Sequence, residues 1–170
     1  MTKRNNSVKT LALGGMLAAL IFVATSFFKL PVSITQGYIH LGDGFILLGA
    51  SLVGGGTAVI AAALGSALAD LLGGYTMYIL PTFLIKGAVA AVAVAFLRGK
   101  RPLWVRITGM ALAEAVMVLG YFLIEWLVLG YGLAAASGAL LPNIVQGLSG
   151  VVIGTALLPL MTRVKTILKM

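Results

Sequence analysis

The sequence predicts an all-α membrane protein with six transmembrane helices, cytoplasmic N and C termini and a short second span, built as a single domain over residues 1–170. Three observations lead to this class. Of the 170 residues, 61% are hydrophobic and 9% are charged, and the mean hydropathy is +1.11. Several apolar runs are long enough to cross the ~30 Å hydrocarbon core of a bilayer. The basic residues stand at the ends of these runs, and four acidic residues are too few for the surface of a soluble domain.

The first expected span covers residues 10–28. Three basic residues precede it and no small-residue cleavage site follows it, so we expect a retained helix rather than a signal peptide. Residues 29–41 are expected to form a loop, because Pro31 ends the helix and Gly37 permits a turn.

The second span, residues 42–53, rises only ~18 Å at 1.5 Å per residue. It is too short to cross the bilayer upright, so we expect its N-terminal end inside the protein or below the headgroups. The fifth span is bracketed by Trp104 and Trp126, which are 22 residues apart and therefore ~33 Å along a helix, as interfacial tryptophans are. Residues 130–141 read as a small-residue loop, and Pro142 starts the sixth span. The later spans are expected at residues 57–72, 79–97, 103–128 and 142–162.

The orientation follows from the positions of the basic residues. With six spans, both termini lie on one side of the membrane, and ten of the twelve basic residues fall on that side. The positive-inside rule therefore predicts cytoplasmic termini. Lys29 and Lys86 are the exceptions, in the outer loop and in the outer half of the fourth span. The ten are Lys3, Arg4, Lys9, Arg98, Lys100, Arg101, Arg106, Arg163, Lys165 and Lys169.

Polar side chains concentrate in the outer half of this arrangement, and only Glu114 lies near mid-depth. An ionisable group inside a span costs roughly 2.5–3.5 kcal/mol on insertion scales, so such groups usually face a cavity or a partner. Several at one depth predict a polar pocket that opens outward, with residues 37–44 as its lid. The outer set comprises Lys29, Gln36, Tyr38, His40, Asp43, Asp70, Tyr75, Tyr78, Lys86, Tyr121, Glu125, Tyr131, Asn143 and Gln146.

Individual members also have purely structural interpretations. Lys86 either contacts a ligand or forms an ion pair with Asp70 or Glu125. Asn143 and Gln146, three residues apart, share a helical face that suits interhelical hydrogen bonding as well as ligand recognition.

Other members of the outer set also have both a structural and a binding interpretation. Glu125 could be solvated near the interface beside a tryptophan, and a lone histidine such as His40 is more often structural than functional. An aromatic belt and stacking on a ligand ring both suit the outer tyrosines, which are Tyr38, Tyr75, Tyr78 and Tyr131.

The sequence lacks the motifs of several function classes. It contains no phosphate-binding G-x-x-x-x-G-K-[ST] loop, no H-E-x-x-H pair and no nucleophile elbow. One histidine and no cysteine cannot build a multi-histidine or thiolate metal site. We therefore expect no enzyme and no cofactor. The +8 charge lies at the ends of spans, which indicates lipid headgroups and topology rather than nucleic acid.

Five motifs in order resemble the substrate-binding S component of an energy-coupling factor (ECF) vitamin transporter, over nearly the whole chain. Within that superfamily the chain is most similar to the branch described as hydroxymethylpyrimidine, pyridoxine or riboflavin transporters. The motifs are GYIHLGD at 37–43, LGSALADLLGGY at 64–75, FLIKG at 83–87, VLGYFLIE at 118–125 and PNIVQG at 142–147.

This resemblance implies a plasma-membrane protein that captures a vitamin outside the cell, under a lid formed by the first loop. It also implies a transmembrane T component and two cytoplasmic ATPase subunits as partners. The family's small-xxx-small face on the first helix corresponds to Gly14 with Ala18 or to Gly15 with Ala19. Ordinary helix packing explains either pair equally well.

We expect a small aromatic vitamin or precursor as substrate, pyridoxine or hydroxymethylpyrimidine first and riboflavin second. The alternatives from other classes are a structural or assembly membrane protein and a stand-alone small-solute carrier. The residues expected to bind substrate are His40, Asp43, Tyr78, Lys86, Tyr121, Glu125, Asn143 and Gln146.

Overall fold

The computed structural model describes the backbone of residues 3–168 and the side chains of residues 8–168. Three of the basic residues used to predict the orientation lie outside this description: the side chains of Lys3 and Arg4, and the whole of Lys169. The predicted all-α membrane class with six helices is confirmed. The helices are α1 Lys3–Phe27, α2 Gly42–Leu52, α3 Gly55–Gly73, α4 Ile79–Leu97, α5 Leu103–Leu123 and α6 Gly132–Ile167. The strands are β1 Lys29–Val32 and β2 Gly37–His40, and a 3₁₀ turn at Thr76–Tyr78 and a π-helical turn at Ile124–Val128 complete the described elements.

Five of the helices are long and apolar enough to cross a membrane. Their outward faces carry large apolar side chains, and Leu72, Leu141 and Val152 are 72%, 69% and 67% exposed. Exposed apolar surface on this scale suits contact with lipid tails, whereas on a soluble protein it would promote aggregation.

Small residues let the membrane helices pack closely. A Cβ atom added to Gly65 of α3 would stand 2.5 Å from the carbonyl oxygen of Ala18, so only glycine allows α1 and α3 to approach this closely. The core between the helices is filled by apolar side chains, with Ile21, Leu47 and Met117 fully buried.

The short helix α2 begins inside the protein, as its length predicts. Asp43, in its first turn, is fully buried. The helix ends in a tight reversal at Gly54 and Gly55, whose φ values of +65° and +58° favour glycine. Because this turn is so tight, α3 starts at Gly55 rather than at the predicted residue 57.

Residues 29–41 form an antiparallel hairpin, so the prediction of an irregular loop is wrong over this segment. Lys29 pairs with His40 and Pro31 pairs with Tyr38. A two-stranded sheet has only edge strands, where a proline is tolerated because its missing N–H is not needed for pairing. An isolated hairpin is marginally stable in water, so contacts with the helices must hold this one in place.

The start of the last helix also differs from prediction. Helix α6 begins at Gly132, ten residues before Pro142, and runs unbroken for 36 residues. The predicted loop contains four alanines and three leucines, and these are strong helix formers. Pro142 lacks the N–H that would bond four residues back, where Gly138 lies, and the helix continues past this one missing bond.

The two ends of the bundle differ in charge. Lys9 Nζ donates a hydrogen bond to the carbonyl of Leu168, which brings the start of α1 and the end of α6 together. Arg98 and Arg106 lie within electrostatic reach of Lys165, near the end of α6, so the α4–α5 connection lies at the same end. We call this the basic end, and the opposite end, which carries β1 and β2, the hairpin end.

Candidate functional site

A small cavity of about 30 Å³ lies beneath the hairpin. This leaves room for ordered water but not for a vitamin-sized molecule. The hairpin, α3, the 3₁₀ turn, α4, the α5 end with its π turn, and α6 all contribute to its wall. The lining residues are Val32, Thr35, Gly37, Tyr38, His40, Asp70, Tyr78, Thr82, Tyr121, Glu125, Ala139, Asn143 and Gln146.

Aromatic rings form much of this wall. The ring centroids of Tyr78 and Tyr121 are 6.3 Å apart at an interplanar angle of 56°, and Tyr38 lies 5.5 Å from the His40 ring. The Tyr121 hydroxyl is 3.0 Å from the Thr82 hydroxyl. Tilted aromatic rings around a cleft can receive another planar ring edge to face or offset-stacked.

Tyr78 fastens the hairpin to the helices. Its hydroxyl is 2.7 Å from the carbonyl oxygen of Thr35, in the hairpin turn, and 3.0 Å from Glu125 Oε1. A phenol has one proton, so the two acceptors share it. Glu125 is 3% exposed and lies in the π-helical turn, and such turns often occur at functional sites.

Tyr38 makes the second connection between hairpin and helices. Its hydroxyl donates to Asp70 Oδ1 at 2.6 Å. Lys29 Nζ lies 4.4 Å from the centre of the Tyr38 ring and 3.4 Å from the carbonyl oxygen of Ala69. Burial lowers the pKa of Lys29, and the charge of Asp70 acts in the opposite direction.

His40 is held as a neutral imidazole. Its Nδ1 accepts a hydrogen bond from the Gly42 N–H at 3.0 Å, which places the ring proton on Nε2. Burial, assisted by the charge of Lys86, lowers the pKa of His40 to about 3. At neutral pH the residue therefore offers a hydrogen-bond donor through Nε2 and carries no charge.

Three polar groups of the lining have unused hydrogen-bonding capacity. Asp70 Oδ2 and Glu125 Oε2 are buried without a partner. The side-chain amide of Asn143 makes no hydrogen bond within residues 8–168, although the residue is only 8% exposed. Native proteins satisfy most buried polar groups, so a cluster of unsatisfied ones indicates a place where another molecule binds.

A buried ion pair lies directly beneath the cavity. Lys86 Nζ is 2.6 Å from Asp43 Oδ1, with side-chain exposures of 0% and 1%. Gln146 Nε2 donates to Asp43 Oδ2 at 2.6 Å, and Gln146 Oε1 accepts from the His40 backbone N–H at 2.9 Å. The predicted pairing of Lys86 with Asp70 or Glu125 is therefore wrong, because α2 starts deep enough to bring Asp43 to the lysine.

Glu114 of α5 lies beside this ion pair and does not line the cavity. It is 4% exposed, and neither carboxyl oxygen has a hydrogen-bond partner among the described residues. It packs against Gly147 and Gly150 of α6, where a Cβ atom on Gly150 would contact both Glu114 and Asp43.

Six of the eight residues predicted to bind substrate line the cavity, and Asp43 and Lys86 lie below it. Tyr38 and Asp70 line it without having been selected. Tyr38 stands two residues before His40, and such residues share one face of a strand. A strand assignment would have placed it, whereas the loop interpretation did not. The six are His40, Tyr78, Tyr121, Glu125, Asn143 and Gln146.

The first-helix residues predicted to bind a partner divide into two groups. Gly14 packs against Thr57, and Ala18 is partly covered by α3. Gly15 and Ala19 are exposed, and a Cβ atom on Gly15 would meet nothing within 4 Å. An apolar groove of about 730 Å³ runs between α1 and α3 along this face.

A bundle of membrane helices with a polar, tyrosine-lined cavity beneath a hairpin at one end is typical of a membrane protein that binds a small molecule.

Comparison with known proteins leads to the same class. A sequence model of the family described as "ECF-type riboflavin transporter, S component" matches residues 5–163. A solved structure, described as "Structure and mechanism of the S component of a bacterial ECF transporter", superposes with a TM-score of 0.72 at 25% identity, over 96% of this chain and 99% of that one.

Two relatives are similar over most of their lengths. The "Thiamine precursor transporter HmpT" of Lactococcus lactis subsp. cremoris is 33% identical over 160 residues, covering 94% of this chain and 91% of the relative. An uncharacterized Pyrococcus woesei protein, "in gap 3'region", is 36% identical over 137 residues, covering 81% and 90%.

The chain therefore belongs to the family of ECF-type riboflavin transporter S components. It is a multi-pass membrane protein and the substrate-binding subunit of a vitamin transporter, and it is not an enzyme. Family membership favours this function over a structural protein or a stand-alone carrier.

Proposed function

We propose that this S component binds a small single-ring vitamin or precursor, with hydroxymethylpyrimidine or pyridoxine as first candidates and riboflavin as the second. Similarity to a transporter named for a thiamine precursor supports the first pair, because hydroxymethylpyrimidine is the pyrimidine precursor of thiamine. The description of the family supports riboflavin.

The observation that carries this preference is the size and lining of the cavity. Ligand pockets usually measure roughly 300–1,000 Å³, whereas this one is about 30 Å³. A vitamin therefore needs the cavity wall to move, most simply at the hairpin, and the movement grows with the ligand. One six-membered ring between Tyr38, Tyr78 and Tyr121 requires the least movement, and the three fused rings and sugar-alcohol chain of riboflavin require the most.

Few hydrogen bonds fasten the hairpin. Among the described residues they are those of Tyr78 with Thr35, of Tyr38 with Asp70, of Lys29 with the Ala69 carbonyl and of the His40 N–H with Gln146. A neutral hydrogen bond contributes about 0.5–1.5 kcal/mol, and one to a charged group about 1.5–3 kcal/mol. Contacts with a bound ring can compensate for this cost, so ligand entry and hairpin movement are coupled.

The available polar groups match a nitrogen heterocycle with polar substituents. Asn143 offers both a donor and an acceptor, His40 Nε2 offers a donor, and Glu125 offers an acceptor, around the rings of Tyr78 and Tyr121. A pyrimidine or pyridine ring has nitrogen acceptors and exocyclic donors that can use all of these.

Asp43 and Lys86 act from beneath the cavity in this proposal. The Asp43 carboxylate holds the Gln146 amide from one side while the His40 backbone holds it from the other. The ion pair thus fixes the orientation of one wall of the cavity without touching the ligand.

The transporter context completes the proposal. A T component and two cytoplasmic ATPase subunits are the expected partners, with ATP hydrolysis on the ATPases. The basic end faces the cytoplasm and the hairpin end faces outward. Because α3 already covers Gly14 and Ala18, the exposed pair Gly15 and Ala19 is the one left to contact the T component.

Calorimetry on the purified protein with hydroxymethylpyrimidine, pyridoxine and riboflavin tests the substrate. Binding of a single-ring ligand more tightly than riboflavin supports the proposal, and binding of none of the three overturns it. Asn143→Ala should weaken binding about tenfold with an unchanged melting temperature. The matched control is Ser149→Ala, which is on the same helix and outside the cavity lining.

Co-purification tests the partners. The tagged chain, expressed with its native transporter genes, should bring down one other membrane protein and two ATPases. Recovery of the tagged chain alone would contradict this part of the proposal.

A further inference from the structure

The cavity is an acidic site. Two carboxyl groups, those of Asp70 and Glu125, belong to its lining, and each residue is 3% exposed. Among residues 8–168, no lysine or arginine belongs to the lining. The other polar members are neutral.

Each of these carboxyl groups has a phenol donor on one oxygen, and a threonine hydroxyl, Thr82 at Asp70 and Thr35 at Glu125, lies nearby. Asp70 Oδ1 accepts the Tyr38 hydroxyl at 2.6 Å, and Glu125 Oε1 shares the Tyr78 proton at 3.0 Å. The second oxygen of each group has no partner and is buried. Because a phenol donates to one oxygen of each carboxyl group, the group is held as an acceptor. Its second oxygen can then accept a hydrogen bond from a donor on a ligand.

The nearby cations are held elsewhere. Lys86 is paired with Asp43 at 2.6 Å below the cavity. Lys29 lies beside the Tyr38 ring, is hydrogen-bonded to the backbone of α3, and faces Asp70 from the rim. Neither lysine belongs to the lining, so among the described residues no positive charge stands in the cavity wall for an anion.

We propose that this site selects ligands that bring N–H or O–H donors, or positive charge, to Glu125 and Asp70, and that it rejects phosphate esters. The proposal rests on the proposed function and specifies its ligand class: an unphosphorylated heterocycle that carries amino or hydroxyl donors. A ligand without the donor leaves buried acceptors unpaired, and a site of this kind rejects such analogues strongly. A phosphate dianion would place like charges together in a buried site.

The primary contact is assigned to Glu125. Asp70 receives the whole proton of Tyr38, whereas Glu125 shares that of Tyr78 with the closer Thr35 carbonyl, at 2.7 Å. Glu125 is therefore the less satisfied acceptor and the one that gains most from a ligand amino group.

Two ligand pairs test the proposal on the wild-type chain by calorimetry. Hydroxymethylpyrimidine should bind at least tenfold more tightly than the analogue in which hydrogen replaces the 4-amino group. Pyridoxine should bind at least a hundredfold more tightly than pyridoxine 5′-phosphate. Equal affinities within either pair overturn the proposal.

A variant pair assigns the effect to the carboxyl group. Glu125→Gln should reduce the ratio of affinities for the amino and deamino pyrimidines at least fivefold. Glu114→Gln, which changes a buried carboxyl group outside the cavity lining, should leave the ratio unchanged. An unchanged ratio in folded Glu125→Gln protein refutes the assignment.

The outcomes separate this proposal from the proposed function. If the wild-type chain binds none of the ligands, both fail. If it binds single-ring vitamins without regard to the amino group or the phosphate, only the acidic-site proposal fails. If Glu125→Gln does not fold, the wild-type ligand pairs still decide.

Discussion

Replacing Lys86 with methionine should destabilise the protein more than most single substitutions. Methionine fills a similar volume but removes the positive charge that faces Asp43 in a fully buried pair. Asp43 would then keep its hydrogen bond to Gln146 and lose its counter-ion. We expect a loss of about 3–5 kcal/mol in the free energy of unfolding, which is the usual cost of removing one partner of a buried ion pair.

The geometry accounts for this magnitude. At the observed separation of 2.6 Å, the Coulomb attraction is about 6 kcal/mol at an effective dielectric constant of about 20. Burying each ion costs several kcal/mol, so the intact pair contributes little net stability. The single substitution forfeits the attraction but keeps the cost of burying Asp43. Lys86→Met combined with Asp43→Asn removes both charges and should recover at least about 2 kcal/mol of the loss.

Thermal unfolding of the purified variants in detergent, followed by circular dichroism, measures the effect. In a chain of this length, 1 kcal/mol corresponds to about 2–4 °C, so Lys86→Met should lower the melting temperature by roughly 6–20 °C. A decrease under about 2 °C would refute the argument. It would also be refuted if the double variant lost the sum of the two single losses.

Three further predictions concern the hairpin and α1. Burial lowers the pKa of His40 from 6.5 to about 3, so the contribution of the neutral imidazole to stability is present above pH 6.5 and is lost as the pH falls toward 3. The free energy of unfolding should therefore fall by up to about 1.4 kcal/mol per pH unit below pH 6.5. The same measurement on His40→Gln should give a smaller slope. Gly15→Leu should leave the melting temperature unchanged but abolish co-purification of the T component, whereas Gly14→Leu should lower the melting temperature through a clash with Thr57. Retained co-purification in Gly15→Leu would exclude that face. Tyr78→Phe removes one connection of the hairpin and should raise the association rate of ligand roughly two- to tenfold in stopped-flow fluorescence, and an unchanged rate would show that this bond does not limit opening.

Much of the fold could be predicted because the bilayer imposes it. Apolar length and the charges at the ends of apolar runs determine which segments span. Five long apolar helices are found where five were expected, although α6 starts ten residues before its predicted start. The depth of each residue in the membrane could also be predicted from the sequence. Glu125, Asn143 and Gln146 could therefore be assigned to one pocket without knowledge of their contacts.

Rotation about each helix axis was not accessible from the sequence. Depth arguments place Lys86 level with several carboxyl groups but do not show which one it faces. Its partner, Asp43, comes from a helix whose position depends on how the hairpin is folded. The hairpin was itself missed, because Pro31 and Gly37 are typical of loops and only the pairing across the turn makes them strand residues.

The short second helix explains why ion pair and cavity are in the same half of the protein. Its 11 residues rise only ~17 Å, so it starts well below the hairpin end and leaves room above for the hairpin. Its first turn carries Asp43, whose charge is favoured at a helix N terminus and neutralised by Lys86. A full-length helix here would move Asp43 toward the membrane surface, away from Lys86 and Gln146. The polar segment 37–44 therefore covers the cavity through β2 and begins the layer beneath it through Asp43, and Gln146 joins the two parts by its hydrogen bonds to the His40 N–H and to Asp43.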